Sequence, residues 1–311
     1  MINLDLIGDT GNQLFEYAFA RFLSLENDNE TISINDKTFF YFVVGILWPK
    51  SLKVTNKLKY FNIQNTVVCN SLFGFINSIL PFFHAVLHRH KQEDNQYMSK
   101  LFLKMSAKGK YWFADTSCPS YYDFVVPINK TKHLHGAWLS EKYFFKHRDI
   151  IREELRVITP ISELNKVMLD RIQSCESVAV HFRRGDAIEV KRFAKGLDVC
   201  DTNYYLKAMD LIAGKLINPV FFIFSNDLDY VRKNIEFKYP VILVDNNNPG
   251  HEDLRLMYNC KHFVIQNSTF SWWGSYLSDN SEKIIVAPNK FIKTFPNKDV
   301  FFRDDMILLD V

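Results

Sequence analysis

His181-Phe182-Arg183-Arg184-Gly185-Asp186 follows the apolar run Ser177-Val178-Ala179-Val180. The run reads as a buried strand, and the arginines fall in the turn that leaves it. In an open α/β sheet, ligands sit just beyond the carboxyl ends of the strands, so an arginine pair at that position is aimed at a ligand. A guanidinium grips phosphate through two parallel hydrogen bonds and stays charged at any working pH. An isolated Arg-Arg in a loop is more often a weak surface ion pair. Here the strand before it, the flanking histidine and the closing Gly-Asp turn favour an anion site.

The same alternation continues outward from that strand. Apolar residues Tyr204, Tyr205, Ala208, Leu211, Ile212 and Leu216 recur at helical spacing, predicting a helix over 203–217. Strands are predicted at 220–224, 241–244, 262–265 and 283–287, separated by a short helix from Leu228, a helix near 252–258 and a helix from Trp272. Strand and helix in turn mean βαβ units and a mainly parallel sheet. The chain also opens this way, with a strand over 2–7, a turn Gly8-Asp9-Thr10-Gly11-Asn12-Gln13, and a helix whose Leu14, Phe15, Ala18, Phe19, Phe22 and Leu23 share one face. Between residues 30 and 135 the pattern blurs. A turn-rich stretch at Ile158-Thr159-Pro160 suggests a boundary, giving units over 1–158 and 159–311. The expected fold is α/β, with two Rossmann-like domains facing across a cleft.

Composition narrows the class of function. The 311 residues, with 47% hydrophobic and 23% charged, are ordinary globular usage, although 28 Phe and 14 Tyr raise the aromatic share to 15%. A net charge of +3 lacks the concentrated basic stripe of a nucleic-acid binder, so no nucleic acid is expected. Cys69, Cys118, Cys175, Cys200 and Cys260 are odd in number and widely spaced, indicating neither a disulfide framework nor a zinc ribbon. With no basic n-region and no long apolar h-region after Met1, a cytoplasmic location is expected. The apolar stretch 71–87 contains Asn77, Pro81 and His84 and falls short of the ~20 residues of a spanning helix. It reads as a buried or interfacial helix. The basic residues after it, from His88 to Lys110, are either a solvated face or a peripheral contact with the inner membrane.

Three strand-to-helix turns carry the candidate chemistry. Gly8 to Gln13 resembles a phosphate-cradling loop, yet it is neither GxGxxG nor a P-loop, and a turn serving only the fold explains it as well. Ser225-Asn226-Asp227-Leu228-Asp229 closes the second strand of the later sheet. Asp-x-Asp there is how a metal-dependent glycosyltransferase could hold a divalent cation. Two arginines nearby reduce the need for one, leaving Asp227 to accept from a nucleobase and Asp229 to favour the next helix N-terminus. Asn267-Ser268-Thr269-Phe270-Ser271-Trp272-Trp273-Gly274 offers hydroxyls and backbone amides that are either helix caps or an anion site. His84, His88 and His90 lack the glutamate of HExxH and favour a structural role over zinc.

These motifs, in this order, resemble the bacterial α-1,2-fucosyltransferases of glycosyltransferase family 11. The resemblance also takes in Gly11 to Ala20, Gly136-Ala137-Trp138-Leu139-Ser140-Glu141-Lys142-Tyr143-Phe144, Cys200 through Tyr205, and Cys260-Lys261-His262. It implies a GT-B architecture, no metal and no cofactor, and inverting transfer of fucose from GDP-fucose to the 2-hydroxyl of a galactose-terminated oligosaccharide. Arg183 and Arg184 would hold the pyrophosphate, with Arg183 as the catalytic group on the departing β-phosphate. His181 and Asp227 would contact guanine by analogy with α-1,6- and protein O-fucosyltransferases. Ser225, Asn226, Asn267, Ser268, Thr269, Phe270 and Ser271 would complete the donor site, with Gly11, Asn12 and Gln13 reaching it from the first domain. Asp186 is the candidate base, Glu16 and Asp9 being alternatives. Two departures stand out: Gly8-Asp9-Thr10-Gly11 replaces the family's Gly-Gly-Leu-Gly, and Ala187 stands where an aromatic often follows Gly-Asp. A metal-dependent transferase using Asp227 and Asp229, or a nucleotide-sugar or glycan-binding protein without turnover, are the competing readings.

Overall fold

The computed structural model describes residues 1–35, 54–69, 112–113, 133–183, 200–291 and 301–311. Its contacts divide the chain into two compact units, Met1–Glu154 and Leu155–Val311. The sequence had placed that division after residue 158.

In the first unit, strands β1 (Ile2–Asp5), β2 (Ile32–Asn35), β3 (Thr66–Cys69), β4 (Trp112–Phe113) and β5 (His133–His135) form a parallel sheet in the order β3-β2-β1-β5-β4. Helix α1 (Thr10–Leu25) follows β1, capped by Asp9, whose carboxylate accepts from the Thr10 amide. Of its predicted apolar face, Leu14, Phe15, Ala18, Phe19 and Leu23 are wholly buried and Phe22 is half-buried. The helix also buries Gln13, Glu16, Arg21 and Ser24, so more than one face is covered. Arg21 explains part of that burial. Its Nε lies 2.8 Å and its Nη2 2.8 Å from the two oxygens of Glu154, the last residue of short helix α2 (Arg148–Glu154). Tyr17 Oη donates to the same carboxylate at 2.6 Å, its phenol pushed up and kept protonated mainly by burial. A buried charge pair of this kind persists only when its remaining hydrogen-bonding groups are also met.

The second unit enters through α3 (Glu163–Gln173), capped by Ser162. Then come β6 (Glu176–Phe182), α4 (Thr202–Ala213), β7 (Pro219–Ser225), α5 (Leu228–Asn234), β8 (Val241–Leu243), α6 (Gly250–Tyr258), β9 (His262–Val264), α7 (Thr269–Leu277), β10 (Ile285–Pro288) and β11 (Met306–Leu309). The sheet is wholly parallel, in the order β11-β10-β9-β6-β7-β8. This is the doubly wound arrangement the alternation predicted. Strand β6 lies at its centre, paired with β7 from Glu176↔Pro219 to Phe182↔Ser225 and with β9 from Val178↔His262 to Val180↔Val264. A central parallel strand is covered on both faces, which is why every residue from Ser177 to Phe182 is buried and Val178-Ala179-Val180 is apolar without alternation. Val178, Val180, Phe182, Phe221, Ile223, Tyr204, Tyr205, Ala208 and Ile212 form one core cluster, each large side chain contributing roughly 1.5–3 kcal/mol of burial.

Two predicted helices differ in extent. Helix α4 ends at Ala213, where Gly214 caps it, and not at 217; Leu216, the last of the spaced apolar positions, packs half-buried on the core beyond the helix, and Ile217 is exposed. Helix α7 begins at Thr269, not Trp272, so Thr269 and Phe270 lie in its first turn. It packs closely on α6: a Cβ on Gly274 would come within 2.7 Å of Met257 Cγ.

Candidate functional site

The order of the second sheet determines where its ligand site lies. After β8 the chain crosses back to the far side of β6, so the connections leaving β6 and β9 run in opposite directions. A crevice opens between neighbouring strands where this reversal occurs, at their carboxyl ends. Strand β6 brings His181 and Arg183 to that edge, and β9 delivers Gln266, Asn267, Ser268 and α7.

The exit from β9 is anchored from behind. Tyr205 Oη donates to Gln266 Oε1 at 2.8 Å, and Tyr204 Oη donates to the Ile265 carbonyl. Both tyrosines belong to α4, and burial keeps the Tyr204 phenol protonated, its tendency to ionise pushed well down. Asn267 Nδ2 donates to the Phe291 carbonyl at 2.7 Å, and Trp272 Nε1 to the Phe301 carbonyl at 2.7 Å. The Phe291 and Phe301 rings meet at 4.4 Å, so the N-terminal half of α7 is held from both sides.

Within this frame Ser268 takes the N-cap position but does not cap. Its hydroxyl is 1% exposed and has no hydrogen-bond partner. An N-cap serine ordinarily accepts an amide of the first turn, and a buried hydroxyl ordinarily has a partner. Among the described residues no carbonyl takes the amides of Phe270 and Ser271 either, while Ser271 Oγ turns back to the Ser268 carbonyl at 3.3 Å. A hydroxyl and two amides at the positive end of a helix are what an anionic oxygen would use. The Phe270 ring sits 5.4 Å from that of His181, bringing the β6 and β9 exits together. Arg183 is partly exposed at the end of β6. Arg184, Gly185, Asp186 and Ala187 lie outside the described residues, as do the histidines at 84, 88 and 90 and the 71–110 segment.

At the end of β7, Asp227 caps α5 by accepting the Tyr230 amide on Oδ1 at 3.0 Å, while its own amide donates to Ser225 Oγ at 3.0 Å. Asn226 is exposed beside it. Asp229 faces Arg232, Oδ1 to Nη1 at 3.3 Å. Both carboxylates therefore already serve the fold. Among the described residues no three His, Cys, Asp or Glu side chains gather as metal ligands would.

The first unit has its own turn at the end of β1. Gly8 sits at φ +67°, and a Cβ there would meet Asn12, so the turn requires glycine. Gln13 is fully buried. Its Nε2 donates to the Gly8 carbonyl at 3.3 Å and to the Thr55 carbonyl at 2.9 Å, and its Oε1 accepts the Lys57 amide at 2.8 Å. Glu16, also fully buried, accepts the Ile7 amide at 3.1 Å. These two roles were missed in the sequence, where Gln13 was a donor contact and Glu16 an alternative base. The available hint was two polar residues three apart on a helix that is otherwise apolar there.

Two Rossmann-like units with parallel sheets, the second carrying an anion-suited crevice between β6 and β9, are the parts of the GT-B class of glycosyltransferase. A mutant of Arabidopsis thaliana FUT1 in complex with GDP matches the fold with a TM-score of 0.52 at 10% identity, over 91% of this chain and 69% of that one. The chain belongs to glycosyltransferase family 11: the family model "Glycosyl transferase family 11" matches residues 1–309. Among its relatives, an Alpha-1,2-colitosyltransferase of Escherichia coli is 28% identical over 300 residues, covering 93% of this chain and 91% of the relative. The O-antigen biosynthesis glycosyltransferase WbnK of Escherichia coli is 26% identical over 303 residues, covering 92% and 93%. Galactoside alpha-(1,2)-fucosyltransferase 1 of Rattus norvegicus is 26% identical over 235 residues, covering 73% of this chain and 56% of the relative. The protein is thus a glycosyltransferase. Among the described residues no helix is long and apolar enough to cross a membrane.

Proposed function

We propose that this enzyme moves L-fucose from GDP-β-L-fucose to the 2-hydroxyl of a galactose at the end of a glycan, inverting the anomeric centre and needing no metal. The observation that carries this reading is the uncapped start of α7. Ser268 Oγ and the Phe270 and Ser271 amides have no acceptor among the described residues, next to the strand that Arg183 follows. A pyrophosphate supplies acceptor oxygens of that kind. Relatives named for α-1,2 transfer of colitose and of fucose to galactosides support the linkage.

On this reading the second unit holds the donor and the first serves the acceptor. Arg183, with Arg184 beyond the described residues, neutralises the pyrophosphate. His181 and Asp227 read guanine, and Ser225, Asn226, Asn267, Thr269 and Ser271 line the rest. As the bond from C1 to the phosphate oxygen breaks, negative charge grows on the β-phosphate and positive charge on the sugar ring. Donors already fixed around that phosphate lower the barrier without reorganising. The acceptor hydroxyl attacks from the opposite face, and its proton passes to a carboxylate or to solvent, Asp186 being the candidate in this chain. Arginines in place of a cation, and the structural engagement of Asp227 and Asp229, favour the metal-free form. The name of WbnK favours an O-antigen acceptor.

The relative named for colitose favours a second donor, GDP-colitose, whose sugar is fucose without its 3-hydroxyl. Incubation with GDP-fucose or GDP-colitose and a panel of β-galactosides, followed by NMR of the product, tests the proposal. An α-1,2-fucosylated galactoside is expected. Transfer only from GDP-colitose, another linkage, or GDP bound without turnover would overturn it in favour of the colitosyl, alternative-linkage or binding-protein reading.

A further inference from the structure

Gln13 joins two segments that are distant in the sequence. It is fully buried, and its amide spans the Gly8 carbonyl on one side and the Thr55 carbonyl and Lys57 amide on the other. Glu16 fixes the Ile7 amide just before that turn, and the Gly8 backbone, at φ +67°, closes against Asn12. Each joined segment carries one charged side chain facing solvent. The Asp9 carboxylate is 84% exposed, the Lys57 ammonium 37% exposed, and they stand 3.9 Å apart. An exposed pair at that spacing adds little to stability, so two buried polar side chains are a large investment if stability is their only result. The pair also lies past the carboxyl end of β1, the central strand of its sheet, where α/β units hold ligands.

We propose that Gln13 is a positioning residue that holds Asp9 and Lys57 as a subsite for two neighbouring hydroxyls of the acceptor sugar, and that it does not touch the donor. A carboxylate accepts from sugar hydroxyls and an ammonium donates to them, and heads 3.9 Å apart can each reach one of two adjacent hydroxyls on a ring. The inference rests on the proposed function, because an acceptor sugar is its ligand.

The test uses the full chain, GDP-fucose and the best β-galactoside of the panel. Wild-type turnover is measured first, and its absence with every donor would remove the functional reading and this inference with it. Gln13→Met keeps the side-chain volume and loses all three hydrogen bonds; Asp9→Ser keeps a helix cap and loses the carboxylate; Lys57→Met loses only the ammonium. Each is expected to raise the acceptor KM about tenfold or more, as befits a lost hydrogen bond to a charged group, with the GDP-fucose KM within about twofold of wild type. Asp9→Ser and Lys57→Met keep the test open if Gln13→Met fails to fold. A folded Gln13→Met with wild-type KM values and a lower melting point would show a merely structural glutamine. Unchanged acceptor KM in both surface variants, or a rise in the donor KM instead, would overturn the subsite.

Discussion

Asp227→Asn separates the two tasks assigned to one side chain. In the fold, Asp227 Oδ1 accepts the Tyr230 amide at 3.0 Å and caps α5. Asparagine caps a helix about as well as aspartate, so stability should change by less than about 0.5 kcal/mol. In the donor site, the proposed partner is the guanine edge, which presents a ring N–H and an exocyclic amino group, both donors. Replacing the second carboxylate oxygen by an amide NH2 removes one charge-assisted acceptor and sets a donor against a donor. A hydrogen bond to a charged group is worth about 1.5–3 kcal/mol, which corresponds to a loss of about 10- to 150-fold in affinity for GDP. Titration calorimetry with GDP, IDP and UDP reads the effect directly. Wild type should favour GDP over IDP, which lacks the amino group, and the variant should lose most of that preference while unfolding at the same denaturant concentration. Equal GDP affinity in a variant of unchanged stability would refute the guanine assignment and leave Asp227 a cap alone.

Two further outcomes concern the scaffold. Glu154→Ala leaves the buried Arg21 guanidinium and the Tyr17 hydroxyl without the carboxylate they share, at 2.8 and 2.6 Å, and should cost about 3–5 kcal/mol in denaturant unfolding; a loss under 1 kcal/mol would mean the pair is readily replaced by water. Burial pushes the Asp253 carboxyl up to about 6, the charge of Glu252 adding to the shift and the Asn248 amide opposing it. Its folded value lies above the unfolded one of 3.8, so the neutral acid's contribution is complete below about pH 4 and is lost as the pH rises through 6. Asp253→Asn should therefore stabilise at pH 7, by on the order of 1–3 kcal/mol, and have little effect at pH 4; a gain independent of pH would contradict this.

The second unit was legible because its inner strands β6, β7, β9 and β10 are largely buried and read as mainly apolar runs between helical periods. The β6 and β9 exits, and so the candidate site, follow from that order. The predicted helix overruns α4 because Leu216 continues the apolar spacing past Gly214 and packs half-buried on the same core although the helix has ended. Strand β11 was not anticipated, since Met306–Leu309 is an edge strand, mostly half-buried, that shows no alternation. In the first unit β1 is anticipated, whereas β2 to β5 are four residues or shorter and β3 is half-buried to exposed, so no buried apolar run marks it. The polar residues of α1 were harder still. Gln13 answers to Thr55 and Lys57, and Arg21 to Glu154, partners that local sequence does not reveal. Ser268 was correctly placed before a helix, but that it leaves the cap unmade depends on how Gln266, Asn267 and Trp272 are held.

The central claim is that GDP leaves through its β-phosphate from an arginine-lined site that needs no metal. It is tested most directly by GDP release from GDP-fucose in excess EDTA, with a β-galactoside acceptor, comparing wild type with Arg183→Ala. The account predicts acceptor-dependent release that is indifferent to EDTA and falls about 100- to 1,000-fold in the variant, the usual loss for one donor to a developing oxyanion. Release that requires added Mg2+ or Mn2+, or that survives the loss of Arg183, would contradict it.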